Sequence, residues 1–276
     1  MKGMMSIASV LLLANSAVWA GSMQEQAAFP FSFNISKGQP VTLALVKGKL
    51  SAKLPGGSTQ ALGTAEPLED GVTAEPIPVA LVADFNFDGM QDVAIQDGIG
   101  YNGVNVFHRL YLWDKASKKF TEYPEPISNP ALDVKQQTLT SSARSGPLWS
   151  YTEYHVAKGK LYPAEENQML AAGDGAWEYL TFKNASGKVT GHKVVAEVDG
   201  KAGDAIASIA IDKAPLYDKP KASAKTKMYV VKGDKVTLLD WKEGTDGALG
   251  AGWFLIRYHG KKVIEKWIAS DALVKG

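Results

Sequence analysis

The sequence contains no cysteine, and its four histidines, at 108, 155, 192 and 259, are scattered along the chain. The first absence excludes disulfides, thiolate zinc sites, a cysteine nucleophile and a lipid-modified N-terminus. The second leaves no histidine spacing suited to a metal site or a triad, and the H-E-x-x-H, G-x-S-x-G and P-loop patterns are missing as well. Beyond the first twenty residues no apolar run reaches the roughly 20 residues that a spanning helix needs. No window longer than about ten residues carries a 3.6-residue apolar period, so helices are not expected. There is no Arg-rich stripe of the kind that binds nucleic acid.

What is present at the start is one charge at Lys2, an apolar run from Ile7 to Ala14 and small residues ending in Val18-Trp19-Ala20. That order predicts a secretory signal peptide over residues 1–20 and a periplasmic or extracellular chain starting near Gly21. A hydrophobic content of 45% is that of a globular protein. Residues 21–205 hold 16 Lys/Arg against 21 Asp/Glu, while residues 206–276 hold 13 against 8, a change from net −5 to net +5. The expected organisation is therefore a β domain over 21–205 followed by a smaller module over 206–276.

β-branched and aromatic runs separated by turn residues recur, as in Val41 to Val46, Lys47-Gly48-Lys49, then Leu50 to Leu54. Further strands are predicted at Val79–Ala83, Val93–Ile95, Asn105–Trp113, Leu148–Val156, Trp177–Phe182, Lys188–Val198 and Ala205–Ile211, with tight turns at Asn184-Ala185-Ser186-Gly187 and Asp199-Gly200. Residues 55–78 read as a long surface loop or an extended excursion before the strand at Val79, and residues 163–175 as a connection with one short helical turn. The fold class is mostly β, an antiparallel propeller-like or sandwich domain followed by a small barrel.

Asp84-Phe85-Asn86-Phe87-Asp88-Gly89-Met90-Gln91-Asp92 places oxygen side chains at alternate positions ahead of a glycine, then a further Asp. A hard cation needs several oxygens at about 2.3–2.6 Å, and this spacing curls them round one centre. Asp84, Asn86, Asp88, the carbonyl of Met90 and Asp92 are the predicted ligands of one Ca²⁺. Mg²⁺ fits less well, because it prefers fewer protein ligands in a tighter octahedron. An EF-hand would put Glu at its twelfth position, here Ile95, between helices, whereas the flanks here are strand-like. The loop resembles the calcium hairpins of FG-GAP and integrin-type propeller repeats; a single copy does not predict a whole propeller.

Beyond the loop come Asn105 to Asp114, Lys118-Lys119-Phe120, Ile127 to Asp133, Ser141 to Gly146, Tyr151 to Val156 and Gly159-Lys160-Leu161. Together with the calcium loop, this order resembles bacterial periplasmic proteins of the lysozyme-inhibitor type, including immunity proteins against cell-wall hydrolases delivered by secretion systems. The resemblance covers about residues 79–162. It implies a non-catalytic domain that plugs the cleft of a peptidoglycan hydrolase. Arg144, Ser145, Trp149, Tyr151 and Tyr154 are the candidate contacts, since aromatic residues and Arg anchor interfaces. Trp149 and Tyr151 serve equally well as core or sheet-face residues.

The C-terminal segment runs through Ala214-Pro215-Leu216-Tyr217-Asp218, Lys232-Gly233-Asp234, Gly252-Trp253-Phe254-Leu255-Ile256 and Trp267-Ile268 to Leu273. It is similar to bacterial SH3-like domains, which implies a small barrel able to bind cell-wall peptides or protein partners. Tyr217, Trp241, Trp253, Tyr258 and Trp267 are either barrel core or groove lining. Glu165-Glu166 is a carboxylate pair with a conceivable hydrolytic role, and adjacent loop carboxylates are ordinarily just solvated. Three functions follow: an inhibitor of a cell-wall hydrolase, a cell-wall-binding accessory protein, and a calcium-dependent hydrolase, with the first preferred.

Overall fold

A computed structural model describes residues 23–65, 78–146, 148–172, 175–198, 201–244 and 252–275. The predicted signal peptide, the turn at Asp199-Gly200, residues 66–77 of the predicted loop and Gly173-Asp174 lie outside them.

The chain is almost entirely antiparallel β. Strands β1 (Gln24–Gln26), β2 (Phe31–Asn34), β3 (Pro40–Val46), β4 (Lys49–Lys53) and β5 (Thr59–Thr64) come first. They are followed by β6 (Ala80–Ala83), β7 (Asp92–Gly100), β8 (Asn105–Asp114), β9 (Lys119–Glu122) and β10 (Ile127–Ser128). Next are β11 (Ala131–Asp133), β12 (Thr138–Ser145), β13 (Leu148–Ala157), β14 (Lys160–Ala172), β15 (Gly175–Lys183), β16 (Val189–Val198) and β17 (Lys201–Asp204). The chain closes with β18 (Ile206–Ile209), β19 (Lys213–Tyr217), β20 (Lys225–Val231), β21 (Lys235–Glu243), β22 (Gly252–His259), β23 (Val263–Ala269) and β24 (Leu273–Lys275). Two 3₁₀ turns, Ala222–Ala224 and Ser270–Ala272, are the only helical elements among the described residues.

Chain order and sheet order nearly coincide. β2-β3-β4-β5 form one sheet; β1-β6-β7-β8-β10 form a second, with β9 also on β8; β11 to β17 form a third in sequence order. The fourth runs β20-β19-β23-β22-β21-β18-β24, so the last strand returns beside β18.

Two compact units result. The first extends to Ser141 and includes His155–Leu161; the second takes Ser142–Tyr154 and everything from Tyr162 onward. The predicted boundary at 205/206 coincides with the start of the fourth sheet but falls inside the second unit. There, Leu170, Trp177, Tyr179 and Val194 share one apolar cluster with Val236, Leu238, Phe254 and Ile268.

In the first unit, alternate residues of β3 and β4 (Val41, Leu43, Leu50, Ala52) meet Ala80, Val82, Val93, Ile95, Trp113 and Phe120 in one cluster, so two sheets enclose one core. β5 lies within residues 55–78, where a long loop or an extended excursion was expected. Polar side chains tie it down: Gln60 Nε2 donates to the Phe120 carbonyl (2.8 Å) and its Oε1 accepts the Phe120 N–H (2.9 Å). Arg109 donates to the Thr64 carbonyl and Tyr111 to that of Leu62. Gly63 makes this possible: at φ +109°, a Cβ there would stand 2.9 Å from Arg109 Nη1. Likewise β14 occupies the expected connection at 163–175.

His108, on β8, is 4% exposed, and its Nδ1 lies 3.1 Å from the Val106 carbonyl oxygen. Burial pushes its pKa down from 6.5 to about 4. The unfolded chain then binds a proton that the folded chain refuses between these values, so stability is full above about pH 6.5 and is lost as the pH falls toward 4. The loss amounts to about 3 kcal/mol. Urea titrations between pH 4 and 7 check this: His108→Gln should flatten the slope, and an unchanged slope would rule out His108 as its source.

Candidate metal centre

β6 and β7 pair antiparallel with Ala83 opposite Asp92, so residues 84–91 project as a hairpin loop between two strands. Phe85, fully buried, and Met90, packed on the first unit's core, pin the loop, and the Gln91 N–H bonds the Ile35 carbonyl at 2.8 Å. Phe87 (φ +56°) and Gly89 (φ +84°) turn the backbone back on itself.

The side chains of Asp84, Asn86 and Asp88 face the loop's own backbone, and Asp92 faces both the loop and β8. Asp84 Oδ1 accepts the Asp88 N–H (2.9 Å) and its Oδ2 the Gly89 N–H (2.8 Å); Asn86 Oδ1 also accepts from Asp88 (3.2 Å), and Asp88 Oδ1 accepts from Met90 (2.9 Å). Asp92, with 0% exposure, accepts the N–H of Phe85 on Oδ2 (2.9 Å) and that of Trp113 on Oδ1 (2.7 Å). It thus joins the loop to β8. Among the described residues no three His, Cys, Asp or Glu side chains are grouped as a ready metal cluster, because these carboxylates are turned onto amides.

The donor set nevertheless fits a hard cation. Each carboxylate oxygen has two lone pairs, and each of these hydrogen bonds uses one. Burial pushes the Asp92 carboxyl well above the usual carboxylate range, against its two backbone hydrogen bonds, and the charges of Asp84 and Asp88 raise it further. Burial also raises Asp84, with Asp88 adding to it. The negative charge is thus gathered without a full counterweight. Lys115 supplies some, donating to the Asp88 carbonyl at 2.6 Å with its Nζ 3.7 Å from Asp88 Oδ2, but it is half in solvent. A divalent ion held by Asp84, Asn86, Asp88, Asp92 and the Met90 carbonyl would neutralise this concentration of charge.

The second unit carries the predicted partner residues. Arg144 and Ser145 end β12 and Trp149 is the second residue of β13, so all three flank the connection between these strands. Arg144 Nε donates to the Gly146 carbonyl at 3.0 Å, which braces the turn. Ser145 is exposed and Trp149 half-buried, and both line a cavity of about 320 Å³. Tyr151 lies further along the strand, its hydroxyl 3.2 Å from Glu165 Oε1, and its phenol is pushed up by burial and by Glu165 and Glu178. Tyr154 is only 4% exposed; a side chain so enclosed packs the interior and offers a partner no surface. Glu165 and Glu166, as neighbours in β14, point to opposite faces, one to Tyr151 and the other to an ion pair with Lys183. They do not act on one substrate as a pair.

The five C-terminal aromatics divide by strand parity. Trp241 is in the second unit's core and Tyr258 packs against it. Tyr217, Trp253 and Trp267 alternate with the core residues Leu216, Phe254 and Ile268, and so lie on the opposite face of the sheet, half-exposed. Tyr217 pairs across Trp267 to Leu255, and its ring meets that of Trp253 edge-on at 4.7 Å.

No family model matches this chain, and no curated protein matches it. Among solved structures it is similar to one described as the structure of a Xanthomonas Type IV Secretion System related protein, at 19% identity over 66% of this chain and 87% of that one. With a TM-score of 0.32, that likeness fixes neither fold nor function.

Proposed function

We propose that this chain is a periplasmic, non-catalytic binding protein, ordered by one Ca²⁺ in the Asp84–Asp92 loop, that inhibits a peptidoglycan-degrading enzyme. In this reading it is an immunity protein against a secreted cell-wall hydrolase. The observation that carries the reading is the β12–β13 hairpin tip. It brings Arg144, Ser145 and Trp149 to one end of the strand pair, with Ser145 and Trp149 beside a cavity, and Arg and Trp are the chemistry that anchors interfaces. The calcium loop stiffens the first unit through Asp92 and Trp113 and takes no part in bond breaking.

The test is direct. Purified protein is mixed with lysozyme-like and amidase hydrolases from the same or a neighbouring genome, and release of soluble cell-wall fragments is followed. One of them should be blocked at a one-to-one ratio, and Arg144→Ala should weaken the block about tenfold. If none is inhibited at about micromolar protein, the reading fails.

A second reading is favoured by a separate observation, the half-exposed row of Tyr217, Trp267 and Leu255 on the outer face of the SH3-like sheet. It makes the chain a cell-wall-binding accessory protein. Co-sedimentation with purified peptidoglycan that is lost in Trp267→Ala would support it, and unchanged sedimentation of that variant would count against it.

A further inference from the structure

The cavity beside the hairpin tip lies wholly within the second unit, between the starts of β13 and β21's end. Its walls are apolar: Leu148 and Trp149 from β13, Met169 and Leu170 from β14, and Trp241 from β21. Two serines and Gln168 give it a polar edge, and Glu243 is its one charged lining residue. Glu243 is exposed and joins no ion pair among the described residues. Trp241, 7% exposed, closes the apolar floor of the cavity.

A volume of about 320 Å³ is at the lower end of small-ligand sites, too small for a helix or a strand and enough for one large side chain with its flanking backbone. Two indoles and a thioether suit an aliphatic or aromatic group. The lone carboxylate at the edge sets the sign of what stands next to that group. We propose that this cavity is an anchor site for a protein partner, taking one apolar side chain of an extended segment with a lysine or arginine beside it against Glu243. The inference rests on the inhibitor reading only for the identity of that partner.

The test needs no hydrolase. The full chain, labelled with ¹⁵N, is titrated with the capped tetrapeptide Gly-Leu-Lys-Gly and with versions in which Glu replaces Lys or Gly replaces Leu. The Leu-Lys peptide should produce saturable shifts at Trp149 and Met169, move the Trp241 indole resonance, and bind about fourfold more tightly than the Leu-Glu peptide. Removing the leucine should abolish the shifts. Glu243→Gln, an exposed and isosteric change, should erase the preference for lysine while leaving the leucine requirement intact. Trp149→Ala should weaken binding about tenfold, with its amide spectrum checked for an unchanged fold. Absence of saturable shifts, equal binding of the leucine-free peptide, or a lysine preference that survives Glu243→Gln would each overturn the proposal. Peptide binding without inhibition of any hydrolase would keep the cavity and remove the inhibitor reading. Inhibition untouched by both Trp149→Ala and Glu243→Gln would keep that reading and remove the cavity as its anchor.

Discussion

Saturating calcium is expected to raise the melting temperature of the chelator-stripped chain by about 5–10 °C. An ion that binds only the folded state adds about 2.7 kcal/mol at a hundredfold excess over its Kd, and a unit of this size moves about 2–4 °C per kcal/mol. The physical source is the packing of Asp84, Asp88 and Asp92 into one loop, where burial first and mutual repulsion second hold the carboxyl groups of Asp84 and Asp92 above their ordinary range. Asp88→Ala should lose most of the rise. In chelator the variant should melt close to the parent, since Asp88 is half-buried and its Oδ1 accepts a single N–H, from Met90. Scanning calorimetry of the two proteins with calcium and with chelator gives four transitions. Equal rises in both proteins would contradict the assignment of these ligands.

Asp92→Ala is expected to behave differently, destabilising the first unit by about 4 kcal/mol even in chelator, and by more in calcium because a ligand is lost as well. The side chain accepts two main-chain N–H groups, from Phe85 and Trp113. Both bonds are buried, and each orphaned donor costs roughly 1–3 kcal/mol. Asp92→Asn keeps one acceptor oxygen and should fall between the two. Because two units need not unfold together, the measurement is amide exchange at Val93, Ala94 and Ile95 in β7, whose protection reports the first unit alone. A loss below about 1 kcal/mol for Asp92→Ala would show that Asp92 does not hold the loop to β8.

The contrast between Asp88 and Asp92 marks how far the sequence could be read. Alternating oxygens before Gly89 identify a loop and strand-like flanks, and the strands are there. Nothing in the pattern separates the residue that bonds locally from the one that reaches across to Trp113, because Trp113 lies 21 positions away. The same limit explains two misread segments. β5 looks like loop because Gln60 and Gly63 break its apolar alternation. In the fold Gln60 completes a ladder with Phe120, and Gly63 leaves room for Arg109. β14 looks like a connection because Glu165, Glu166, Asn167 and Gln168 interrupt any apolar period. Here the polar groups find cross-strand partners: Glu165 with Tyr151, Glu166 with Lys183, Asn167 with Glu178. Non-local partners satisfy side chains that local reading takes to be solvated.

At the C-terminal end the aromatic content was legible and the face was not. Trp241 and Trp253 look alike in sequence, and an irregularity in pairing between Leu238 and Asp240 on β21 shifts the parity that turns Trp241 to the core side. Likewise the hairpin at Arg144–Trp149 was visible as candidate contacts, while the cavity beside it depends on β14 and β21, which bring Met169 and Trp241 to Trp149.

The most direct test of the calcium-ordered binding protein is calorimetric titration of the chelator-treated chain with calcium chloride at neutral pH. One ion should bind per chain with saturable heat, and the Asp88→Ala chain should show none. No saturable heat from the parent chain up to about millimolar calcium, the weak end of calcium-binding modules, would contradict the account at its base.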